Sequence, residues 1–292
     1  MIITRLIGGL GNQLFQYAVG RHLAELRSTE LKIDLSGFEI YKLHEYSLGA
    51  FNIRQNFASK EEAASLTVPK DAGAGGVLGK VFGKKAKRAK THIREKKLFS
   101  FDRKVLNLPD RVYLDGYWQC EKYFVAIAEI IRREVIVKSP QTGKDKEVAE
   151  MIASCESVSL HVRRGDYVSN PKTNRLHGTC SVDYYHRCVE HVAQMVKNLH
   201  FFVFTDDPEW ARENMKLPHA TTVVAHNDAS RNYEDLRLMS QCRHNIIANS
   251  SFSWWGAWLN PNEDKMVLAP RRWLAMKGRD CKDIIPGQWV KK

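Results

Sequence analysis

His161-Val-Arg163-Arg164-Gly165-Asp166-Tyr167 sets two adjacent guanidinium groups directly after an apolar run. Charges at the end of a buried strand need a partner of opposite sign. Guanidinium groups hold phosphate oxygens bidentately, where lysine offers only a point charge. The alternative that needs no ligand is an internal ion pair of Arg163 or Arg164 with Asp166. A second segment, Gly8-Gly9-Leu10-Gly11-Asn12-Gln13, also follows an apolar run and opens a helical pattern. Glycines there let a backbone approach a bulky anion, and a helix start offers free N–H groups. It is not a GxGxxG turn, because Leu14 stands at the third glycine position, and glycine-rich turns also serve packing alone. In Phe204-Thr205-Asp206-Asp207-Pro208, paired aspartates could hold a divalent cation beside a diphosphate or accept bonds from a ribose. Asp207-Pro208 reads more simply as an N-cap and first helical residue, which leaves Asp206 open. The fourth region runs from Tyr233-Glu234-Asp235 to Asn249-Ser250-Ser251-Phe252-Ser253-Trp254-Trp255-Gly256. Hydroxyls and N–H groups at its helix start form a second anion site. Taken alone, the tryptophans suit a core and Asp235 suits a solvated helix face. Together, two phosphate-friendly loops, one in each half of the chain, and an arginine pair predict a nucleoside diphosphate held between two halves.

These segments need strands that end where they begin. Residues 2–7 read as a buried first strand, followed by a helix capped by Asn12 and running to about 27, with Phe15, Val19, Leu23 and Leu26 on one face. Residues 31–35 and 111–114 read as further strands, and 121–133 as a helix. The polar stretch 138–146, with Pro140 and Gly143, is the linker candidate. Beyond it, strand-like runs at 157–162, 201–205, 221–225, 245–248 and 266–269 alternate with helical segments near 182–198, 208–215, 232–243 and 253–259. Such alternation predicts parallel βαβ units, hence two α/β domains, 1–138 and 139–292. In open α/β sheets ligands bind beyond the carboxyl ends of the strands, where all four segments fall.

Composition removes other classes. The 292 residues include 45 Lys+Arg against 33 Asp+Glu, a formal charge of +12, with 43% hydrophobic and 10% aromatic residues. That excludes a disordered or collagenous chain, and no run approaches the roughly 18 apolar residues of a membrane span. The N-terminus lacks the features of a signal peptide, so a cytoplasmic location is expected, with thiols kept reduced. This also disposes of a cell-adhesion reading of Arg164-Gly165-Asp166. The six cysteines form no CxxC pair, and His177, Cys180, His186 and Cys188 match no standard zinc spacing. Residues 80–97 hold nine Lys or Arg against Glu95 alone, a local charge of +8 beside +4 for the rest. A solvated insertion, a nucleic-acid arm and a patch for an anionic membrane all fit that charge. Few aromatics lie there to stack on bases, which disfavours the nucleic-acid version.

His161–Tyr167 resembles the HxRRGDY signature of bacterial-type α-1,2-fucosyltransferases, glycosyltransferase family 11. Residues 7–17 and 249–256 resemble that family's end motifs, and 114–124 is similar to its middle motif. The motifs occur in the family's order across nearly the whole chain. The resemblance implies an α/β, GT-B-like fold, with two Rossmann-like domains facing an interdomain cleft, and GDP-fucose as donor. It implies that Gly9, Gly11, Asn12 and Arg163 touch the diphosphate, with Gln13 beside them. His161 and Asp235 would read guanine, and Ser251, with Ser250, would bind phosphate. An acidic residue that follows the arginine motif in α-1,6 relatives has no counterpart in 168–171, so no general base carries over.

The expected reaction is an inverting transfer of L-fucose from GDP-β-L-fucose to the 2-hydroxyl of a terminal galactose, without a metal or other cofactor. Arg163, assisted by Arg164, would neutralise charge growing on the β-phosphate. Asp166, Asp115 and Glu121, in that order, are candidates for the base, and Tyr117, Trp118 and Tyr123 for stacking on acceptor sugars. The rivals are a fucosyltransferase of another linkage, a transferase of another GDP-sugar, and a nucleic-acid-binding protein using 80–97. For the transferase, 80–97 is expected to dock on an anionic membrane at its inner face, with no nucleic acid as partner.

Overall fold

A computed structural model describes residues 1–69, 89–276 and 281–292. The chain forms two compact units, Met1–Gly49 with Ile53–Glu134, and Ala50–Asn52 with Val135–Lys292. Half of the basic stretch 80–97, residues 80–88, lies outside the described residues, and so does that part of the docking surface expected there.

The first unit contains β1 (Ile2–Arg5), α1 (Leu10–Leu26), β2 (Leu31–Asp34), α2 (Ser36–Ile40), α3 (Lys60–Thr67), β3 (His92–Arg94), β4 (Val112–Asp115) and α4 (Ala128–Glu134). Its sheet has the order β2-β1-β4-β3, and every pairing is parallel. The helix predicted over 121–133 is instead two 3-10 turns, Glu121–Tyr123 and Val125–Ile127, followed by α4. Phe124, at φ −145°, is fully buried and meets Phe15 edge-on at 6.0 Å, and that anchor interrupts a regular helix.

The second unit contains α5 (Gly143–Ala153), β5 (Glu156–Val162), α6 (Gly165–Ser169), α7 (Pro171–His177), α8 (Val182–Met195), β6 (Leu199–Thr205), α9 (Pro208–Asn214), β7 (Ala220–Val224), α10 (Asn232–Gln241), β8 (His244–Ile246), α11 (Ser251–Leu259), β9 (Val267–Ala269) and β10 (Val290–Lys291). Its parallel sheet runs β10-β9-β8-β5-β6-β7. β6 shows why both faces are covered. Phe201 and Val203 join a core with α8, while Phe202 and Phe204 join another with α5 and α10. A period-2 strand that is apolar on both faces must lie inside a doubly wound layer. The segment expected as a linker corrects differently: from Gly143 it is the first turn of α5. Asp145, Val148 and Ile152 form the buried stripe of that helix, so a polar residue stands where local composition suggested solvent.

Each sheet has one switch point, where successive connections leave in opposite directions. In the first it lies between β1 and β4, and in the second between β5 and β8. Crevices beyond the strand ends at such points are where open α/β sheets bind ligands. The glycine turn follows β1, and His161–Tyr167 spans the end of β5. With two Rossmann-like parallel α/β sets, the fold is GT-B-like.

Candidate active site

At the switch point of the second unit, β5 carries Val158, Leu160 and Val162 into one core. Its opposite face presents Ser157, Ser159 and His161, all buried. Ser157 Oγ accepts from the Arg243 N–H at 3.2 Å, and Ser159 Oγ from Asn245 Nδ2 at 2.7 Å. His161 differs: its buried Nδ1 has no partner among the described residues. Burial, reinforced by the Arg163 charge and opposed by Asp206, pushes its pKa down to about 3, so the ring is neutral at physiological pH. Its ring lies 5.7 Å from that of Phe252, in α11 beyond β8. A buried polar atom left unpaired marks a place where a ligand can complete the bonding.

Arg163 follows on β5's far end. It pairs with Asp166 at 2.5 Å and Asp206 at 2.9 Å, and its guanidinium lies 5.4 Å from the Tyr167 ring centroid. Asp206 also accepts the Arg164 backbone N–H at 2.8 Å. Gly165 permits this approach, since a Cβ there would stand 2.6 Å from Asp206 Oδ2. The ligand-free alternative, an Arg163–Asp166 pair, is therefore present, and the Arg164–Asp166 version is not. Arg164 turns away to Asp207 at 3.0 Å and packs over Trp210 at 4.0 Å. Asp207 caps α9 through the Trp210 N–H, as Asp207-Pro208 predicts. Both aspartates are thus engaged by arginine and backbone N–H groups. Among the described residues no group of three or more His, Cys, Asp or Glu is placed to hold a metal ion.

Beyond β8, Asn249 Nδ2 donates to the carbonyls of His177, Gly178 and Trp273. Ser250 is the N-cap of α11, accepting from the Phe252 N–H, so its buried hydroxyl holds the helix start. Ser251 opens the helix and is half-buried. Asp235, on α10, is half-buried and accepts from Asn227 Nδ2 at 2.8 Å. Burial raises its pKa to about 6, against the lowering effect of Asn227 and His226. It is no solvated helix residue.

At the switch point of the first unit, the helix starts earlier than predicted. Gly9 is the N-cap of α1 and makes no side-chain cap bond, so Asn12 is not the cap. Gly8 turns the chain at φ +86°, and a Cβ on it would lie 2.7 Å from Asn12 Nδ2. Asn12 Oδ1 accepts from Gln119 Nε2 at 2.6 Å, joining the segments after β1 and β4. Gly11 is buried in the first turn. Gln13 does not suit donor binding. It is fully buried, its Nε2 donates to the carbonyls of Gly8 and Glu45, and its Oε1 accepts from the Ser47 N–H. Gly8→Ala is expected to destabilise the fold by about 1–2 kcal/mol through the left-handed backbone, with the Asn12 clash adding to it, seen as a lower Tm.

The acceptor-side candidates divide. Trp118 and Tyr123 are buried and pack edge-on at 5.7 Å, so neither ring face is available for stacking. Tyr123 Oη accepts from the Asp102 N–H and donates to the Ser100 carbonyl. Tyr117 and Glu121 are partly exposed. Asp115 is held by Arg94 at 2.8 Å, His92 at 3.1 Å and Arg5 at 3.2 Å. Burial raises its pKa, but these partners outweigh it and hold the carboxyl below its usual range, which makes Asp115 a poor base. Glu95, absent from the predicted site, follows β3 and accepts from the N–H groups of Tyr117 at 2.7 Å and Trp118 at 3.2 Å. Burial raises its pKa, and its isolation as the lone acid of the basic stretch was the only signal for it.

Two parallel α/β units with charged groups gathered at the strand ends define a GT-B-like fold. The fold matches that of a fucosyltransferase from Bradyrhizobium, NodZ, with a TM-score of 0.52 at 14% identity, over 87% of this chain and 91% of that one. Residues 90–291 match Glycosyl transferase family 11, and the chain belongs to that family. An Escherichia coli alpha-1,2-colitosyltransferase is 33% identical over 100% of this chain and 98% of its own length. The O-antigen biosynthesis glycosyltransferase WbnK of Escherichia coli is 30% identical over 98% of each. A Bos taurus galactoside 2-alpha-L-fucosyltransferase, SEC1, is 29% identical over 35% of this chain and 28% of its own. Among the described residues no helix is long and apolar enough to cross a membrane.

Proposed function

We propose that the chain transfers a 6-deoxyhexose, L-fucose or its 3-deoxy counterpart colitose, from a GDP donor to the 2-hydroxyl of a galactose in a glycan. The observation that carries this reading is the full-length similarity to an alpha-1,2-colitosyltransferase. The arrangement at the end of β5 supplies its chemistry. His161, with its unpaired buried Nδ1, and Asp235 recognise guanine, while Arg163 and Ser251 face the diphosphate. Within the first unit, Gly9, Gly11 and Asn12 make the open turn of α1 an anion-accepting end.

The acceptor oxygen forms its bond to the anomeric carbon as the bond to the β-phosphate oxygen breaks, which inverts the centre. Negative charge grows on the leaving phosphate, and the hydroxyl proton passes to a base or to water. Arg163 stabilises that charge without a metal, and Asp206 and Asp166 hold its guanidinium in place. Asp166 is thus assigned to orienting Arg163 rather than to proton transfer. Arg164, bonded to Asp207 and stacked on Trp210, steadies the turn.

The test is transfer to β-galactosides from GDP-fucose and GDP-colitose in parallel, in EDTA, with linkage analysis of the product. An α-1,2 product from either donor supports the reading, and another linkage or a requirement for metal overturns that part of it. The donor ratio identifies the sugar. A site that hydrogen-bonds a substrate hydroxyl rejects the analogue lacking it by up to about 10⁴-fold, so a fucose enzyme is expected to discriminate strongly.

A further inference from the structure

Asp145 is 2% exposed, yet it lies in a stretch whose composition is that of a linker. The loop after β7 supplies its partners: His226 Nε2 at 2.8 Å, Asn227 Nδ2 at 2.8 Å and Arg231 at 2.6 Å. A buried carboxylate with three donors from one loop fastens that loop to α5. The Asn227 amide then does something further. Its nitrogen lies 2.8 Å from Asp145 Oδ1 and 2.8 Å from Asp235 Oδ1. A primary amide has two N–H bonds, so one group bridges two carboxylates that would otherwise repel each other. Among the described residues, Oδ1 is the only Asp235 oxygen engaged, and Oδ2 remains for another donor.

We propose that Asn227, anchored by Asp145, is a specificity-determining positioning residue that orients the Asp235 carboxylate toward the purine of the nucleotide donor. The proposal rests on the reading above that Asp235 receives guanine. Guanine presents N1–H and an exocyclic 2-amino group side by side, a pair that one correctly turned carboxylate accepts. Hypoxanthine lacks the amino group, and adenine offers an acceptor at N1. Turning the carboxylate plane therefore alters the choice of base while leaving phosphate contacts in place. The fixed plane comes from Asn227, because Asp235 has one acceptor bond there and none to a guanidinium. The titratable groups acting on Asp235 are His226 on the loop, Asp145 on α5, itself paired with Arg231, and Glu234 on its own helix, itself paired with Arg237.

The experiment measures binding of GDP, inosine diphosphate and inorganic pyrophosphate to the full chain by calorimetry. It compares wild type, Asn227→Ala, Asn227→Ser and Asp235→Asn. Wild type is expected to prefer GDP over inosine diphosphate about tenfold, the worth of one charge-assisted hydrogen bond. In the Asn227 variants that preference falls to twofold or less, with pyrophosphate affinity unchanged. If either folded Asn227 variant keeps the wild-type preference while Asp235→Asn loses it, the positioning role is wrong and the guanine reading stands. If Asp235→Asn keeps both the affinity and the preference, the guanine reading fails and the proposal with it. An equal loss for all three probes in an Asn227 variant assigns the bridge to fold stability alone and also overturns the proposal.

Discussion

Arg163→Ala is expected to lower kcat/KM for the GDP-sugar by about 100-fold or more, close to 3 kcal/mol, because it removes a fixed positive charge from the phosphate that gains charge in the transition state. The geometry makes this side chain hard to replace. Asp166 and Asp206 grip two different guanidinium nitrogens, and the Tyr167 ring lies against it. Arg163→Lys keeps the charge but not the fork, so it is expected to recover only a small part of the loss. Truncation also leaves Asp166 and Asp206 without their common cation, and a lower Tm should accompany the kinetic defect. Steady-state kinetics at saturating acceptor, with a thermal melt of each variant, separate the two effects. Turnover within threefold of wild type in Arg163→Ala would remove the arginine from the chemistry and leave it as an ion-pair scaffold.

Asp235→Asn is expected to bind GDP at least tenfold more weakly and yet to melt at a higher temperature above pH 7. The stability gain follows from burial. The carboxyl titrates near 6 in the folded chain against about 3.8 when exposed, so folding favours its protonated form. The sign is then fixed. This group's contribution to stability is greatest below pH 3.8 and is lost as the pH rises through 6, and at neutral pH the ionised side chain costs at most about 3 kcal/mol. Asparagine carries no charge to desolvate and can still accept from Asn227. Binding runs the other way, since only the carboxylate can accept two donors at once, so wild-type GDP affinity should fall as the pH drops below about 6. A Tm no higher than wild type at pH 8, or a GDP affinity flat from pH 5 to 8, would contradict this account.

His161 adds an opposite dependence. Its neutral form is favoured by burial, so its contribution to stability is present above about 6.5 and is lost as the pH falls toward 3. A half-buried carboxylate disfavoured at neutral pH and a buried imidazole disfavoured at low pH thus stand in the same unit. Stability given up at particular positions is common where a site must hold groups ready for a ligand.

Much of this protein was legible in its amino-acid order. Apolar runs ending in Gly8-Gly9, in Arg163-Arg164 and in Asp206-Asp207 marked strand ends, because a strand's period and its abrupt stop are local properties. Asp207-Pro208 announced its helix start for the same reason, and the family motifs announced the GT-B-like fold. What local pattern could not carry was which partners meet. Arg163 finds Asp206 across two neighbouring strands, β5 and β6, and β8 lies beside β5 although β6 and β7 come between them in the chain. Gln13 reads as a ligand contact until the 45–47 segment folds over it and uses its amide. Asp145 reads as part of a linker until α5 turns it toward the loop after β7. Asp115 reads as a base until Arg5 and Arg94, with His92 beside them, surround it from neighbouring strands. A residue's type and neighbours in sequence determine the element it joins. Its charge state and its free hydrogen-bonding capacity depend on burial and on groups distant in sequence, and those were decided only when the sheets assembled.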